Sequence, residues 1–333
     1  MCGIVGVGST RPISNKEWLT RGREAIRHRG PDAGGEAWLH NDTVGFGHQR
    51  LSIIDLSNAA SQPMFAKQKQ NALIFNGEIY NFLELKQELA AKGHSFYTNS
   101  DTEVILAAYS EWGLGAIDRL NGMFAFALFD GARKKIYLAR DRAGEKPLFY
   151  HLKDGTLHFG SELKSMLANS ELPRRVSERG LRQLLTMGYV PESNCILEGF
   201  RKLPPAHALD FDLSTGTIRI SEYWKIPAFT GPTFVDSETG DRLTTELENL
   251  LEDSVRKQLV ADVPVGVLLS GGVDSSLVTA AAAKVTNKLK TFTIRFPGHR
   301  DFDETPHARL VASAFGTEHI ELEVPPTTSS LLP

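Results

Sequence analysis

The chain has 333 residues, of which 41% are hydrophobic, 23% charged and 9% aromatic, and its formal net charge is −3. This length predicts two domains with separate cores, and the composition is that of a soluble globular protein. The near balance of 37 basic and 40 acidic residues, without a block of like charge, argues against a nucleic-acid partner. No apolar run approaches the roughly 20 residues of a membrane helix and no basic-then-apolar leader opens the chain. We therefore expect a cytoplasmic protein with no membrane partner.

The first part of the chain, over residues 2–224, reads as short strands and turns with two helices. NALIFNGE is a short apolar strand that stops at Asn-Gly, MFAFALFDG and KKIYLARD form a hairpin around Asp-Gly, and HALDFDLSTGTIRISEYW forms another. NFLELKQELAAKG predicts an amphipathic helix that ends at a glycine. In SDTEVILAAY, Ser100 followed by Glu103 has the spacing of a capping box at the start of a second helix. A strand-rich first domain follows.

The second part begins after a linker, which we place at 225–241, where AFTGPTFVDSETGD lacks periodicity and is rich in turn residues. Over 242–333 the pattern changes to helices that alternate with strands, from RLTTELENLLEDSVRKQLV to EHIELEV. Such alternation predicts parallel βαβ units. Only three strands precede the final PPTTSSLLP, whereas an open parallel sheet normally needs more strands and both faces covered. The second domain is therefore predicted to be incomplete.

The two cysteines call for separate explanations. Two are too few for a disulfide framework, and no Cys-x-x-Cys or His-x-x-x-His pair indicates a zinc site. Cys195 is predicted to be an inert buried thiol. Cys2 follows the initiator methionine, and removal of that methionine would place an α-amine with a pKa near 8 beside the thiol. A nucleophile and its general base would then share one residue; the alternative is a small hydrophobic residue that begins the strand CGIVGV.

Five short stretches resemble the class II glutamine amidotransferases, whose glutaminase domain has an N-terminal-nucleophile hydrolase fold. They are, in chain order, MCGIVGV, RHRGPD, HQRLSIID, FNGEIYN and SDTEVIL. GMFAFALFD, LARDRAGEKPLFY and FGSELKSM are also similar to the family, so the resemblance covers the first domain. It implies an α+β sandwich of the αββα type, with Cys2 as the nucleophile that attacks the amide of glutamine.

The resemblance also implies the rest of the glutamine site. Arg50 would hold the α-carboxylate of the substrate, and Asn76 and Gly77 would form the oxyanion hole and count with Cys2 as catalytic. Glu78 and Asp101 would hold the α-ammonium group. Further residues of the glutamine site implied by the resemblance are Leu51, Ser52, Ile53 and Ile54.

The chemistry of these residues supports the roles independently. A guanidinium grips a carboxylate with two parallel hydrogen bonds, and an Asn-Gly pair can aim a side-chain amide and a backbone N–H at one oxyanion. Each residue also has an ordinary interpretation. Arg50 could form a surface ion pair, Asn76-Gly77 a hairpin turn, and Asp101 a first-turn charge favoured by the helix dipole.

VGVLLSGGVDSSLV predicts a strand, a glycine turn and the start of a helix, where backbone N–H groups favour an anion. No lysine follows the glycines, so the loop is not a Walker A motif. It resembles the pyrophosphate loop of the ATP pyrophosphatases, which implies ATP as a substrate and Mg²⁺ near Asp274. The ordinary interpretation is a capped strand-to-helix turn. The ATP-site residues that the resemblance implies are Leu268, Ser270, Gly271, Gly272, Asp274, Ser275 and Ile294, of which Leu268 and Ile294 could equally be sheet core.

An N-terminal-cysteine glutaminase joined to a pyrophosphate loop resembles the glutamine-dependent asparagine synthetases. The resemblance implies that aspartate is adenylated by ATP and that ammonia from glutamine converts β-aspartyl-AMP to asparagine, AMP and pyrophosphate. It also implies a possible homodimer. The family's later Ser-Gly-Glu-Gly-x-Asp-Glu segment does not occur here, so we expect the second half of the ATP site to be missing and the chain alone not to make asparagine.

Two other functions stay open at this point. The chain could be an amidotransferase with a different acceptor, or a fragment that only hydrolyses glutamine. A non-catalytic glutamine-binding or scaffold module is disfavoured by the intact set of candidate residues. Relatives that make sugar phosphates or purine precursors lack a pyrophosphate loop, which argues against those products.

Overall fold

The computed structural model describes residues 1–66, 70–191, 194–231, 236–297 and 303–324. The chain divides into two compact units, Met1–Ala228 and Phe229–Pro333. This division falls inside the predicted linker, part of which (232–235) lies outside the described residues, as does the terminal PPTTSSLLP. None of the helices in the described ranges has the length and apolar character to cross a bilayer.

Unit 1 consists of strands with a smaller number of helices. Its strands, within the described residues, are β1 (Gly3–Ser9), β2 (Ala33–Leu39), β3 (Val44–Arg50), β4 (Met64–Phe65), β5 (Asn71–Ile79), β6 (Gly122–Asp130), β7 (Lys135–Arg140), β8 (Phe149–Lys153), β9 (Thr156–Gly160), β10 (Phe200–Lys202), β11 (His207–Asp212) and β12 (Ile218–Glu222). Its α-helices are α1 (Glu17–Ala25), α2 (Phe82–Ala91), α3 (Asp101–Trp112), α4 (Ala116–Arg119), α5 (Leu163–Met166) and α6 (Glu178–Met187). Short 3₁₀ turns occupy Arg27–Arg29, Asn58–Ala60 and Gly113–Gly115.

These strands form two six-stranded antiparallel sheets. The first sheet has the order β10-β8-β9-β1-β3-β2, and the second sheet has the order β12-β11-β7-β6-β5-β4. Side chains alternate between the two faces of a strand. Ile4 and Phe46 of the first sheet therefore meet Ile74 and Ala125 of the second in one buried cluster between the sheets.

Helices cover the two outer faces. Val5 and Val7, on the other side of β1, pack with Trp18 and Leu19 of α1. On the far side of the second sheet a larger cluster of strand and helix residues joins β5 and β6 to α2 and α3. The layers therefore run helix, sheet, sheet, helix, which confirms the predicted αββα sandwich.

The predicted hairpins and helices of unit 1 are present. β6 and β7 pair from Asp130 with Lys135, and β11 pairs with β12 as a second hairpin. At the start of α3 the Ser100 side chain accepts a hydrogen bond from the backbone N–H of Thr102 at 3.1 Å. The predicted capping box is only half correct, because Glu103 does not reach back to Ser100. Its carboxylate instead accepts from the backbone N–H groups of Tyr97 and Thr98, which order the segment before the helix.

Unit 2 has the alternating pattern that the sequence predicts. Its elements over the described residues are α7 (Ser237–Gln258), β13 (Gly266–Leu268), α8 (Val273–Val285), β14 (Lys290–Arg295), α9 (Thr305–Phe315) and β15 (Glu318–Glu323). The three strands form a parallel sheet in the order β13-β14-β15, which confirms the predicted start of an α/β sheet. The helix α7 begins earlier than predicted, within 225–241, because Asp236 caps it by accepting from the N–H of Thr239 at 2.7 Å.

Candidate active site

The antiparallel register of the first sheet places Cys2 beside the end of β3. Gly3 pairs with Gln49 and Ile4 with His48, so Cys2 is opposite the junction of Arg50 and the following loop. The backbone N–H of Leu51 lies 3.4 Å from the Cys2 Sγ, and the Sγ lies 3.6 Å from the Leu51 carbonyl oxygen. Since Ile4 faces the second sheet, Cys2, two residues before it, lies on the same side of the strand. The thiol is therefore directed between the two sheets and is half-buried.

Arg50, at the last position of β3, is buried and organises the loop that follows it. Its guanidinium donates to the carbonyl oxygens of Ser57 at 2.8 Å and Ile54 at 3.3 Å, and also to that of Asp55. Only 6% of Arg50 is exposed, so the surface ion-pair interpretation is wrong. These contacts to carbonyl oxygens do not use all five N–H donors of the guanidinium, so another acceptor can bind to it.

The loop after β3 supplies the other predicted glutamine contacts. The residues Leu51, Ser52, Ile53 and Ile54 are all half-buried. The N–H of Ser52 donates to the carboxylate of Asp32 at 2.8 Å, which fixes the loop against the start of β2. Ile54 packs on the cluster between the second sheet and its helices. The loop is therefore held at both ends beside Cys2.

Asn76 and Gly77 lie in the middle of β5, where they pair with Ala125 and Phe124 of β6. The predicted alternative of a hairpin turn is therefore wrong. Asn76 is completely buried, and neither its Oδ1 nor its Nδ2 has a hydrogen-bond partner within the described structure. Since Ile74 faces the first sheet, Asn76 does too. A buried amide without partners costs roughly 1–3 kcal/mol, which a ligand oxygen would offset.

The glycine after Asn76 is required by close packing of the backbone. A Cβ at Gly77 would lie 2.1 Å from the carbonyl oxygen of Met123 and 2.8 Å from the Cα of Phe124. Both of these atoms belong to the main chain of β6, which cannot rotate away as a side chain can. The absence of a side chain therefore lets β5 and β6 approach at the point where the Asn76 amide emerges.

Two carboxylates lie near the end of β5. Asp101, in the first turn of α3, is buried and its Oδ2 accepts from the N–H of Ile79 at 3.0 Å. Burial raises the pKa of Asp101, although hydrogen bonds from Ile79, Ser100 and Thr102 oppose this. Burial, and next the charge of Asp101, raise the pKa of Glu78. Two acidic groups held together away from water favour binding of a cationic group. Asp101 also lies in the first turn of α3, so the alternative interpretation, a charge favoured by the helix dipole, describes its position as well.

The thiol itself is in a protonated state while Met1 is attached. Burial raises the pKa of Cys2 to about 11, and the nearby Glu78 and Asp101 add to this effect, whereas the hydrogen bond from Leu51 opposes it. Burial also lowers the pKa of the α-amine of Met1, and the charges of Arg29 and Lys146 lower it further. The α-amine of Met1 is therefore kept closer to neutral, and Arg29 and Lys146 are the cations that would act in the same direction on an α-amine of Cys2.

Three residues that surround the N-terminus were not assigned a role from the sequence. The Arg29 Nε donates to the carbonyl oxygen of Cys2 at 2.9 Å, and its Nη1 forms an ion pair with Glu162 at 3.0 Å. Lys146 is buried, with its Nζ 2.9 Å from the Sδ of Met1. These residues lie in RHRGPD, GEKPLFY and FGSELKSM, three stretches that resemble the class II glutamine amidotransferases. The sequence pattern alone does not indicate that the three stretches meet near Cys2.

In unit 2 the glycine turn connects β13 to α8 as predicted. Gly271 has φ +84, and a Cβ there would lie 2.5 Å from the backbone nitrogen of Ala308. The Ser270 Oγ lies 3.0 Å from the Ser275 Oγ and accepts from the N–H of Gly272 at 3.3 Å. Gly272 is the N-cap of α8 and provides no side chain to cap it. The first-turn N–H groups of a 13-residue helix thus face the loop, a geometry that suits an anionic group.

The remaining predicted ATP-site residues are exposed. Asp274 lies in the first turn of α8 at the surface. Leu268 is 79% exposed and Ile294 50% exposed, so the sheet-core alternative does not describe them in this structure. The described residues contain no group of three or more His, Cys, Asp or Glu side chains that could hold a metal ion.

Unit 1 has the αββα fold of the N-terminal-nucleophile hydrolases, and its sequence is that of the glutamine amidotransferase class. A family model described as a glutamine amidotransferase domain matches residues 1–224, and one described as asparagine synthase matches residues 246–329. The chain therefore belongs to the glutamine amidotransferase family, and its second part is similar to the asparagine synthases.

Individual relatives agree with this family. The chain is 37% identical over 332 residues to asparagine synthetase [glutamine-hydrolyzing] 1 of Bacillus subtilis. This match covers 98% of this chain and 50% of the relative. It is 36% identical to putative asparagine synthetase [glutamine-hydrolyzing] 2 of Methanocaldococcus jannaschii, over 96% of this chain and 64% of the relative. The chain thus spans about half to two thirds of the length of these relatives.

A solved structure supports the fold alone. The glutamine phosphoribosylpyrophosphate amidotransferase of B. subtilis, complexed with ADP and GMP, matches with a TM-score of 0.51 and 16% sequence identity. The match covers 96% of this chain and 65% of that one. At this level of identity the match concerns backbone architecture and carries no information on the acceptor.

Proposed function

We propose that unit 1 hydrolyses glutamine to glutamate and ammonia, with Cys2 as the nucleophile. The observation that carries this proposal is the buried Asn76 amide, which has no partner among the described residues and faces the same inter-sheet space as the thiol. The strand alternation that places both side chains between the sheets supports it further.

The proposed reaction begins when removal of Met1 frees the α-amine of Cys2. That amine takes the thiol proton, and the thiolate attacks the carbonyl carbon of the substrate amide. Asn76 Nδ2 and the Gly77 N–H stabilise the oxyanion of the tetrahedral intermediate, which collapses to a thioester as the amine returns its proton to the departing ammonia. Water then attacks the thioester, releases glutamate and restores the thiol.

The remaining site residues hold the substrate. The free donors of Arg50 bind the α-carboxylate in this proposal, and the loop over Leu51, Ser52, Ile53 and Ile54 lines the glutamine chain. Glu78 and Asp101 accept from the α-ammonium group, which would relieve the raised pKa values of both carboxyl groups. Arg29 acts by positioning, because it binds the Cys2 carbonyl oxygen while Glu162 holds its guanidinium.

We further propose that the full reaction is asparagine synthesis from aspartate and ATP, with AMP and pyrophosphate as the other products. The uncapped N-terminus of α8 and the Ser270–Ser275 loop fit a pyrophosphate group, and Leu268 and Ile294 are exposed where an adenine could contact them. Mg²⁺ bound at Asp274 would neutralise phosphate charge. A cytoplasmic location and a homodimer belong to the same proposal, and light scattering of the purified chain tests the latter.

A second candidate is glutamine hydrolysis without ATP chemistry. The observation that favours it is that every residue of the proposed glutamine site lies in unit 1, whereas unit 2 contributes one loop and two exposed strand residues to the proposed ATP site. Formation of asparagine from aspartate, ATP and ammonia by the purified chain would exclude this second candidate.

The experiment that tests the proposal is glutamate release from glutamine, with the N-terminal mass measured on the same sample. We expect release from chain that lacks Met1 and no release from Cys2→Ala. Cys195→Ala is the matched control, since it removes the chain's other thiol, which is buried elsewhere in unit 1. Release that survives in Cys2→Ala, or that is lost equally in Cys195→Ala, would contradict Cys2 as the nucleophile.

A further inference from the structure

The side chain of Asp55 ties the loop after β3 to the segment that precedes α3. Its Oδ2 accepts a hydrogen bond from the backbone N–H of Asn99, 44 positions further along the chain, at 2.7 Å. Asp101, in the first turn of α3, lies two residues after Asn99. The Asp55 carboxylate therefore connects the loop that lines the proposed glutamine site to the residues that carry Asp101.

The other carboxylate oxygen of Asp55 holds the loop itself. Its Oδ1 accepts from the backbone N–H of Ser57 at 3.0 Å and from the Ser57 hydroxyl at 2.6 Å. An aspartate that accepts from the N–H two residues further along closes a turn of its own backbone. Such a turn needs no partner outside the loop, so the additional bond from Asn99 is what connects Asp55 to a second part of the site.

Arg50 binds the main chain of the same turn. Its guanidinium donates to the carbonyl oxygen of Ser57 at 2.8 Å and also to that of Asp55. Asp55 has φ +54, in the left-handed region, which aspartate adopts more readily than most residues other than glycine. The backbone conformation at Asp55 and the turn to Ser57 thus present two acceptors to the guanidinium and fix its orientation.

The charge of Asp55 strengthens these contacts. Burial alone would raise the pKa of Asp55, but the hydrogen bonds from Ser57 and Asn99 and the positive charge of Arg50 hold it below its ordinary value. The carboxyl group is therefore ionised at pH 7, and hydrogen bonds to an ionised acceptor are roughly twice as strong as neutral ones. A continuous set of hydrogen bonds thus runs from Arg50 through Asp55 to Asn99, each with a charged group on one side.

We propose that Asp55 is a positioning residue for the amino-acid end of the substrate, an inference that rests on the proposed glutamine site. Asp55 does not touch the substrate. It fixes the separation between Arg50, which binds the α-carboxylate, and Asp101, which binds the α-ammonium group. Glutamine has to reach both residues at once, and a separation that is set before binding removes the entropic cost of ordering the loop. Asp55 thus favours binding of a free α-amino acid without taking part in the chemistry at Cys2.

Asp55→Asn breaks this tie with little change in shape. Asparagine is tolerated in the left-handed region as aspartate is, so the backbone conformation at position 55 is retained. A carboxamide has one oxygen in place of two, so it can accept on the side of Ser57 or on the side of Asn99 but not on both. The link between the loop and the segment before α3, or the turn that presents the loop to Arg50, is therefore lost.

We expect Asp55→Asn to raise the KM for glutamine about tenfold and to change kcat by less than about threefold. The variant loses a charge-assisted hydrogen bond that organises binding, whereas Cys2 and Asn76 are unaltered. Asp154→Asn is the matched control, because it makes the same substitution at an exposed aspartate of unit 1 that has φ +49. Its kinetics should equal those of the parent.

Three further measurements separate positioning from general damage to the fold. The backbone N–H of Asn99 should exchange for deuterium faster in Asp55→Asn than in the parent, with no substrate present. Alkylation of Cys2 by iodoacetamide, measured in Cys195→Ala protein, does not depend on the α groups of glutamine and should keep its rate. Ser57→Ala, a substitution at an exposed residue, removes one bond to Asp55 Oδ1 and should raise KM about threefold.

The proposal fails if the KM of Asp55→Asn stays within a factor of about three of the parent value, or if Cys2 alkylation slows as much as kcat/KM falls. Calorimetry of glutamine binding distinguishes this failure from failure of the proposed function. Equal affinity in Cys2→Ala and in Cys2→Ala with Asp55→Asn would refute the role of Asp55 and leave the glutamine site intact. If Cys2→Ala protein binds no glutamine up to about 1 mM, the upper end of ordinary substrate affinities, the glutamine site and the role of Asp55 are both refuted.

Discussion

The carboxylate of Asp101 accepts a hydrogen bond from the backbone N–H of Ile79 at 3.0 Å, which ties the first turn of α3 to the end of β5. Asn76, Gly77 and Glu78 immediately precede that contact on the same strand. Asn76, Gly77 and the two carboxylates are thus parts of one connected unit, and a change in Asp101 affects the strand as well as the charge of the site.

Asp101→Asn should raise the KM for glutamine at least about tenfold, because it removes one of two charges proposed for the α-ammonium group. The thermal midpoint should change little, since the neutral amide avoids the cost of a buried carboxylate. Steady-state kinetics and thermal unfolding measure the two effects. Asp118→Asn, an exposed aspartate, is the control, and an unchanged KM in Asp101→Asn would refute the assignment.

Asn76→Ala should lower kcat about 100- to 1,000-fold, the usual cost of deleting one oxyanion donor. KM should change less, because the proposed bond to Asn76 strengthens as negative charge develops on the oxygen. The control is Asn71→Ala, at the start of the same strand and only half-buried. A kcat within a factor of about three of the parent would show that Asn76 is not a donor to the intermediate.

Glutamine binding should strengthen as the pH rises from about 5 to 8. The pKa values of Glu78 and Asp101 are both raised, so the carboxyl groups are partly protonated at the acidic end of this window and cannot balance an ammonium group. The same shifts imply that unit 1 loses stability as the pH rises through the raised pKa values, since the folded state holds protons that the unfolded chain releases.

Glu78→Gln should flatten both pH dependences. Calorimetry of glutamine binding to Cys2→Ala protein, at pH values from about 5 to 8, measures the pH dependence of binding. Chemical unfolding at the same pH values measures the pH dependence of stability. Glu84→Gln, an exposed change on α2, provides the comparison. Identical pH profiles for Glu78→Gln and the parent would exclude Glu78 as one of the titrating groups.

Lys146→Met should move the acidic limb of the pH–rate profile to higher pH. The charge of Lys146 lowers the pKa of the Met1 α-amine, and we expect the same direction for the α-amine of Cys2 once Met1 is removed. Removal of this charge should therefore raise the pH at which the proposed base becomes neutral. The measurement is kcat/KM for glutamine against pH. Lys164→Met, an exposed lysine of α5, is the control, and a profile that falls in height without moving would assign Lys146 a packing role only.

His48 should make unit 1 sensitive to acid. Burial lowers its pKa to about 3, while its Nε2 donates to the carbonyl oxygen of Phe75 at 3.0 Å and links the two sheets. The unfolded chain therefore binds this proton first, and the free energy of unfolding should fall by up to about 1.4 kcal/mol per pH unit from about 6.5 toward 3. His48→Gln should remove that slope in urea titrations, and an unchanged slope would contradict the assignment.

Several features of the site could be predicted from the sequence because they depend on local rules. The glycine turn before α8 and the amphipathic helices follow from backbone conformation and from the spacing of apolar residues. The strand predicted to stop at Asn-Gly instead continues to Ile79, and Gly77 is required there by the close approach of β6, which no local rule predicts. The capping box failed in part because Glu103 has two sets of nearby donors, and the choice between Ser100 and the amides of Tyr97 and Thr98 depends on how the preceding segment turns.

What the sequence determined by itself was the chemical inventory: a cysteine at position 2, an arginine, an Asn-Gly pair and two carboxylates, each in a short motif. Only the tertiary structure decided which of them are desolvated and what else joins them. Arg29 and Lys146 reach the N-terminus through strand pairing and layer packing over long separations in the chain, and Glu162 holds Arg29 there. Hydrogen-bond partners and pKa shifts depend on the distances between groups and on the exclusion of water from them. Short sequence patterns predict neither these distances nor the degree of burial.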